Sequence, residues 1–251
     1  MKKLTTLIIL VFMLEMSAWA NPSLKNEALT YKVMFKWGLI NKQAGTATLY
    51  LTDHGNHYGS KLVASSAKWA DKFFCVRDTL NGTMTKTGLK PIFYEKIAHE
   101  GDEHKHDTVK FSFTGNKATG HCTRKVVKKG ELIRDQQQVL EAEGTTVDML
   151  TSYYFMRTLP FDEWKAGHTE AVNIFSGKQK EILTFEYRGI ETLKIGKKEY
   201  LCYHITFKFT GKGGKKTSDN MDAWITTTPD RTPVQLEGKL PVGKVRCELV
   251  I

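Results

Sequence analysis

Apolar and polar residues alternate with a period of two along most of this chain, and short clusters of turn-forming residues interrupt the alternation. Alternation sends successive side chains to opposite faces of an extended strand, so one face can enter a core. Many short strands separated by turns are typical of an antiparallel meander. We predict strands at about 28–38, 44–53, 57–66, 73–80, 83–87, 90–99, 105–114, 117–127, 131–140, 169–175, 181–189, 199–210, 219–227, 232–238 and 243–250.

Turn-forming pairs close several of these strands. Asn81-Gly82 is the pair typical of a two-residue type I′ hairpin. Gly101-Asp102 and Gly115-Asn116 are compatible with type II′ turns. Each pair therefore predicts that the chain reverses direction between two neighbouring strands.

Residues 147–158 depart from the alternation and have helical spacing. Two neighbouring apolar stripes contain Val147, Leu150 and Tyr154, and Met149, Tyr153 and Met156. Thr145 is the predicted N-cap, with Asp148 three residues later, and Pro160 ends the helix. So wide an apolar surface must be covered on more than one side, and a sheet can do this by curling around the helix. We therefore predict an all-β fold, an antiparallel meander curled into an open or closed barrel with one inserted short helix.

Residues 1–20 have the pattern of a secretory signal peptide. Two lysines precede an apolar run over residues 7–13, which is too short to span a bilayer as a helix. Ala18 and Ala20 provide the small residues that a signal peptidase requires. We therefore expect cleavage before Asn21.

Residues 21–251 are predicted to form a single domain, because no linker, low-complexity segment or convincing repeat interrupts them. Asn21 is not a cysteine and offers no site for lipid attachment, and no later segment is long and apolar enough to span a membrane. We expect a soluble exported protein, located in the periplasm, which is the favoured compartment, or outside the cell.

The chain is basic, with a formal net charge of +10. Export removes nucleic acid as a partner and leaves anionic lipid headgroups, glycans or acidic proteins. Most of the lysines lie beside turn residues, as in 128–130, 196–198 and 211–216, where they keep strand ends soluble and discourage edge pairing. We favour solvated turns over an anion-binding site.

The cysteines do not have the spacing of a metal site, and they allow three disulfide pairings. They are Cys75, Cys122, Cys202 and Cys247. Cys202 lies opposite the apolar face of its predicted strand, whereas Cys247 shares the apolar face of its own. This parity argues against a bridge between those two, and free buried thiols are an equal alternative to any pairing.

Motifs of common enzymes are missing. The sequence has no G-x-S-x-G elbow, H-E-x-x-H pair or phosphate loop, and no cysteine in an activating pattern. The absence weakens an enzymatic interpretation, and we predict no catalytic residue and no cofactor.

Histidines cluster on the hairpin around Gly101-Asp102. A two-residue loop there sets His99 opposite His104 and Ile97 opposite His106, which places three imidazoles on one face. Three imidazoles can bind a transition metal. We favour a solvated hairpin tip and assign no metal, because nothing in the sequence orients the rings.

Polar residues interrupt the apolar surface of the predicted helix. Asp148 and Arg157 are nine residues apart and project to opposite sides, so each needs a partner on the sheet or on a ligand. Tyr153 and Tyr154 either line a pocket or belong to the core. We favour structural anchoring for the charged pair. Asp148, Tyr153, Tyr154 and Arg157 are nevertheless the candidate ligand-binding residues.

Three groups of residues carry a resemblance to a known family: Trp37-Gly38 with 44–49; Asp148-Met149-Leu150 with Ser152, Tyr154 and Arg157-Thr158-Leu159-Pro160; and Asp222-Ala223-Trp224 with Pro233 and 239–243. Together they resemble the exported family called domain of unknown function 3108, over nearly all of the mature chain. The resemblance implies an envelope protein with a mostly β fold and carries over no site. On architecture alone, the chain is also similar to periplasmic lipoprotein carriers, whose curved sheet holds an acyl chain beneath helices.

The predicted address, the predicted curvature and the aromatic residues on core-facing strands favour a binding protein of the cell envelope. It would hold a lipid-like or other apolar ligand in the concave face of the sheet, beside the 147–158 helix. The alternative is a non-enzymatic structural or protein-interaction module whose barrel is filled by its own side chains. A third interpretation, an envelope enzyme acting on glycan or lipid, is supported by no sequence motif. The oligomeric state is not predicted.

Overall fold

Fifteen strands form one sheet in the computed structural model, which describes residues 24–215, 217–240 and 242–250. The predicted signal peptide and its cleavage site lie outside the described residues. The strands are β1 (Glu27–Trp37), β2 (Ile40–Asp53), β3 (His57–Ser66), β4 (Val76–Thr85), β5 (Pro91–Glu100), β6 (Glu103–Thr114), β7 (Lys117–Lys128), β8 (Glu131–Glu143), β9 (Thr146–Val147), β10 (Thr169–Phe175), β11 (Lys180–Ile195), β12 (Lys198–Thr210), β13 (Met221–Thr226), β14 (Pro233–Lys239) and β15 (Lys244–Leu249).

Two meanders make up the sheet. Strands β1 to β8 follow one another in space, as do β10 to β15, and every pairing within each meander is antiparallel. The first strand joins the last, with Tyr31 opposite Leu249. The two-residue β9 adds to β10 in parallel.

The two edges of the sheet approach each other. Gln138 of β8 donates hydrogen bonds to the carbonyl oxygens of Gly177, at 3.1 Å, and Lys178, at 2.8 Å, beyond β10. Asn173 of β10 donates to the carbonyl oxygen of Glu143 at 2.8 Å. Side chains therefore bridge the seam, and the barrel is nearly closed. The predicted all-β fold with a curled meander is confirmed.

Two short α-helices lie among the described residues, α1 (Lys68–Asp71) and α2 (Thr151–Arg157), with 3-10 turns at Phe161–Glu163 and Lys212–Gly214. The inserted helix is confirmed, but its predicted bounds of 147–158 are too wide, because Val147 pairs with β10 as part of β9. The predicted N-cap, Thr145, is also wrong. Asp148 accepts the backbone N–H groups of Leu150 and Thr151 instead, at 2.7 and 2.8 Å.

The predicted hairpin at Asn81-Gly82 is wrong as well. β4 runs straight through these residues, and Gly82 pairs with Ser60 of β3. A Cβ atom at Gly82 would lie 2.7 Å from Ser60 Oγ and 3.4 Å from Cδ2 of Leu150. The glycine leaves room for the hydroxyl group of Ser60, and β4 continues through it, so the two strands predicted on either side of it are one.

The other tested pairings agree with the sequence. Gly101-Asp102 forms a two-residue connection, which sets His99 opposite His104 and Ile97 opposite His106 as predicted. β11 runs to Ile195, six residues past its predicted end, because a bulge near Gly189 keeps the strand in the sheet.

All four cysteines are free thiols. Cys202 packs with Ile195 and Val234 in a small cluster apart from the main core, whereas Cys247 packs against the main core. The predicted parity of these two cysteines is confirmed.

The barrel has two unlike ends. At the helix end, where β1 begins, Arg157 of α2 forms an ion pair with Glu27. At the open end, where β1 terminates, lie residues 38–39, α1 and the connection between β14 and β15. α2 thus fills the barrel from one end only.

Candidate functional site

A hollow of about 330 Å³ lies inside the barrel between α2 and the sheet. Its wall includes Leu49, Leu62 and Phe207 from the strands and Tyr153 and Met156 from the helix. Apart from one serine, one cysteine and the hydroxyl groups of two tyrosines, the lining side chains are hydrocarbon or thioether. The hollow therefore suits an apolar guest.

The spacing of the sequence explains how so many apolar side chains reach this hollow. Leu183 with Phe185 and Phe207 with Phe209 are two residues apart on β11 and β12, so each pair shares the inner face. On the helical side, Ser152, Tyr153 and Met156 have the i, i+1, i+4 spacing of one face of α2, with Met149 in the turn before it.

A pair of tyrosines crosses the hollow from sheet to helix. The hydroxyl groups of Tyr31 and Tyr153 are 2.6 Å apart, and Tyr31 also donates to the carbonyl oxygen of Pro233 at 2.7 Å. Since Tyr31 gives its one proton to Pro233, Tyr153 is the donor between the two hydroxyl groups. Burial raises the pKa of the Tyr31 hydroxyl, which is therefore neutral at physiological pH.

Cys247 completes the uncharged wall. Burial raises the pKa of its thiol to about 11, so the thiol is protonated at neutral pH. None of the side chains that line the hollow, all of them in the described part of the chain, is an acid or a base that is charged at neutral pH.

Arg157 is 1 % exposed and fully engaged by the protein. Besides its ion pair with Glu27, it donates to the carbonyl oxygens of Asp230, at 2.7 Å, and Arg231, at 3.1 Å. The prediction that its guanidinium finds a partner on the sheet is confirmed. These contacts fix the end of α2 to β1 and to the connection between β13 and β14.

Asp148 is completely buried at the start of the helix. In addition to the two backbone N–H groups, its carboxylate accepts the hydroxyl of Thr151 at 2.7 Å. Burial raises its pKa to about 6, although these hydrogen bonds act in the opposite direction. The carboxylate therefore serves as the helix cap.

Tyr154 is also fully buried, and its hydroxyl donates to the carbonyl oxygen of Tyr50 on β2 at 3.2 Å. Of the four candidate ligand-binding residues, only Tyr153 lines the hollow. Asp148, Tyr154 and Arg157 hold the helix in place, and ligand contact at any of the four remains a prediction.

A second hollow, of about 490 Å³, opens at the other end of the barrel. Its wall continues that of the first along the same strands, with each lining residue two positions closer to the open end. The pairs of inner and outer lining residues are Tyr31 and Val33, Ala47 and Gly45, Leu62 and Ala64, and Cys247 and Val245. We call the two the inner and outer hollows. They follow one another along the concave face toward the open end.

Most of the lining residues were missed by sequence reasoning. The alternation marks Leu49, Leu183 and Phe207 as facing inward, but it does not separate inward residues that touch each other from those that border a gap. The difference depends on the volume that α2 leaves unfilled.

The histidine hairpin does not bring its three imidazoles together. The rings of His99 and His104 are 4.4 Å apart and edge-on, while Nε2 of His106 lies 2.8 Å from Oε1 of Glu95. Within the part of the chain that the structure describes, no three His, Cys, Asp or Glu side chains are arranged to hold a metal ion.

The described residues also contain no helix with the length and apolar character that crossing a membrane requires.

The family described as "Protein of unknown function (DUF3108)" matches the chain over residues 30–250. The chain belongs to this family. A crystal structure from Brucella abortus, a β-barrel-like protein of domain of unknown function DUF1849, resembles this DUF3108 fold with a TM-score of 0.60 at 11 % identity. The likeness covers 90 % of this chain and 96 % of that one, and it concerns the fold alone. No curated protein sequence matches the chain significantly.

Proposed function

We propose that this protein is a non-enzymatic binding protein of the cell envelope that holds a lipid-like or other apolar ligand inside its barrel. The observation that carries the proposal is the inner hollow beside α2, with its volume of about 330 Å³ and its uncharged, apolar wall. Binding sites for small molecules are concave and mostly apolar, and they measure roughly 300–1,000 Å³.

The size of the barrel supports a carrier over the alternative of a filled module. Barrels of about eight strands are filled by their own side chains, whereas barrels of about sixteen strands leave an open channel. This sheet has fifteen strands and a helical insert of only seven residues, which enters from one end. The side chains therefore do not fill the interior, and both hollows remain.

The wall favours the hydrocarbon part of an amphiphile. Each methylene group moved from water into such a hollow contributes about 0.8 kcal/mol. No charged side chain lines the inner hollow, so a charged headgroup has its place toward the open end, where solvent and lysines are available. The ligand class is thus a single-chain or otherwise slender amphiphile.

Within the proposal, Tyr153 contacts the ligand, while Asp148, Tyr154 and Arg157 position the helix that forms one wall. Met149 and Ser152 add to the same wall from α2 and the turn before it. Tyr31 fixes the ring of Tyr153 by the hydrogen bond between their hydroxyl groups.

The proposed location is the periplasm, or the space outside the cell, because of the predicted signal peptide. Cell fractionation and N-terminal mass determination test this part separately. A protein that keeps residues 1–20 and stays in the cytoplasm contradicts it.

Native mass spectrometry of the protein purified from its own envelope tests ligand binding. We expect a bound species heavier than the bare chain, and organic extraction of the same sample should release an amphiphile of matching mass. A bare mass under gentle conditions, with no lipid in the extract, contradicts a carrier and favours the filled module.

A further inference from the structure

Three segments at the open end, which we call the rim, share one composition. They are residues 36–42, 68–74 and 239–244, and each combines two lysines with large apolar residues. Together the three segments contain six lysines and a single carboxylate, that of Asp71. The same chemistry thus occurs at three places that are far apart in the sequence and adjacent in the fold.

The apolar side chains of the rim are displayed to solvent. Phe73 is 83 % and Phe74 56 % exposed, and Leu39 at the tip of the β1–β2 hairpin is completely exposed. The side chains form one patch, because members of all three segments line the outer hollow: Trp37, Ile40, Trp69, Phe73, Leu240 and Val242. Contiguous apolar patches of this kind mark interaction sites on soluble proteins.

The charges of the rim are unbalanced. Asp71 is neutralised by Arg77, 2.7 Å away, and Lys244 is paired with Glu237 at 3.1 Å. Among the residues that the structure describes, the remaining rim lysines have no ion-pair partner: Lys36, Lys42, Lys68, Lys72 and Lys239. The Lys42 ammonium lies over the ring of Trp69, 5.0 Å from its centroid. A net positive charge therefore surrounds the exposed aromatic rings.

We propose that the rim docks the protein onto the surface of a bilayer that contains anionic phospholipid. Aromatic and aliphatic side chains enter such a surface at the level of the headgroups, while flanking lysines extend their ammonium groups to the phosphates. Each lysine near an anionic surface adds electrostatic attraction. A second copy of this chain is the poorer occupant, because it would bring the unpaired lysines of two rims together.

Docking in this orientation places the outer hollow directly on the lipid. An amphiphile can then pass between the bilayer and the barrel without exposing its hydrocarbon part to water. The docking surface stands on the rim alone, so it can be present whether or not the inner hollow holds a ligand.

Vesicle flotation tests the inference. The protein is expressed from the sequence of residues 1–251 and purified, and its mass is measured. It is then mixed with vesicles of phosphatidylcholine, either alone or with phosphatidylglycerol. We expect it to float with the anionic vesicles at low salt, and much less with neutral vesicles or at high salt, because salt screens exposed charges.

Two double variants separate the apolar from the electrostatic contribution. Phe73→Ser with Phe74→Ser removes exposed aromatic surface, and Lys68→Glu with Lys72→Glu reverses two charges. Each is expected to weaken partitioning to anionic vesicles at least about tenfold. Matched controls lie away from the rim, toward the helix end: Ile190→Ser with Leu201→Ser, which are 56 % and 54 % exposed, and Lys197→Glu with Lys198→Glu. The controls should float like the wild type.

Three results overturn the inference. They are no flotation of the wild type, equal flotation of the rim variants, and equal loss in the controls. Light scattering adds a fourth. A wild-type dimer that the Phe73→Ser, Phe74→Ser variant converts to a monomer would show that the rim joins two copies. A failure of the protein to float with vesicles would not change the mass of the ligand complex in native mass spectrometry. The two experiments therefore distinguish failure of the docking inference from failure of the proposed function.

Discussion

The helix end and the open end of this barrel are built from the same strands but differ in how completely the interior is packed. At the helix end, Tyr154, Asp148 and Arg157 are almost completely buried, and each has a polar partner in the protein. Toward the open end, inward side chains such as Leu62 and Phe209 are only half-buried and border a hollow.

The difference teaches where stability and binding are located. Polar groups that are buried and satisfied hold an element in one position, whereas an unfilled apolar wall leaves favourable burial to a guest. Substitutions at the helix end should therefore change mainly the free energy of unfolding. Substitutions along the hollow should change mainly ligand binding.

The largest effect on stability is expected from Arg157→Met. It leaves the half-buried Glu27 carboxylate and two carbonyl groups without their donor, and breaking a buried ion pair costs about 3–5 kcal/mol of unfolding free energy. Urea denaturation measures the loss. Arg188→Met, which breaks an exposed pair with Glu186, is the control and should have little effect. Equal losses in both variants would contradict the anchoring role of Arg157.

Asp148→Asn is expected to change the pH dependence of stability. The pKa of about 6 in the folded protein lies above that of an unfolded aspartate. The folded state therefore binds more protons between about pH 4 and pH 6, and unfolding free energy falls as pH rises through that window.

The asparagine variant keeps an oxygen acceptor for the helix but does not titrate. Relative to the wild type it should gain about 3 kcal/mol between about pH 4 and pH 7, since one pKa unit corresponds to about 1.4 kcal/mol. Denaturation curves at several pH values measure the difference. A difference that stays constant with pH contradicts a buried, titrating cap.

The smallest expected loss of unfolding free energy comes from substitutions in the pair Tyr31 and Tyr153. This pair connects α2, which is anchored at the helix end, to the wall of the inner hollow. Tyr31→Phe leaves both the Pro233 carbonyl and the Tyr153 hydroxyl without a partner, and it should lower the free energy of unfolding by about 1–3 kcal/mol. Tyr153→Phe leaves the bond to Pro233 intact and should cost only about 0.5–1 kcal/mol. Urea denaturation measures both losses, and a larger loss for Tyr153→Phe than for Tyr31→Phe would contradict the place of Tyr31 between Tyr153 and Pro233.

The strands could be predicted because each needs one face for the core and one for water. Because of this requirement, apolar and polar residues alternate with a period of two in segments such as β6 and β12. The same alternation predicted the register that sets His99 opposite His104. The hairpin predicted at Asn81-Gly82 is wrong because a glycine has two uses: it favours a tight turn, and it also provides a position without a Cβ atom inside a strand. Here the close approach comes from the hydroxyl group of Ser60 on the neighbouring strand, which the dipeptide alone does not reveal.

The candidate site was only partly predictable for a related reason. Sequence identified the helix and the need of Arg157 for a carboxylate, because a buried charge is costly wherever it lies. It did not identify Glu27 as that carboxylate, nor which inward residues border the hollow, because both depend on how far α2 enters the barrel. The acceptance of the first helical N–H groups by the Asp148 side chain likewise follows from a helix that begins after β9 has paired.

Titration with a fluorescent polyene fatty acid tests the central claim most directly. The wild type, stripped of lipid, should bind the probe saturably at one site. Ala47→Trp fills the inner hollow and should weaken binding at least about tenfold. Val63→Trp places the same indole on the outer face of the neighbouring strand and should bind like the wild type. Equal binding by the wild type and Ala47→Trp, with both folded by circular dichroism, would contradict a ligand site inside the barrel.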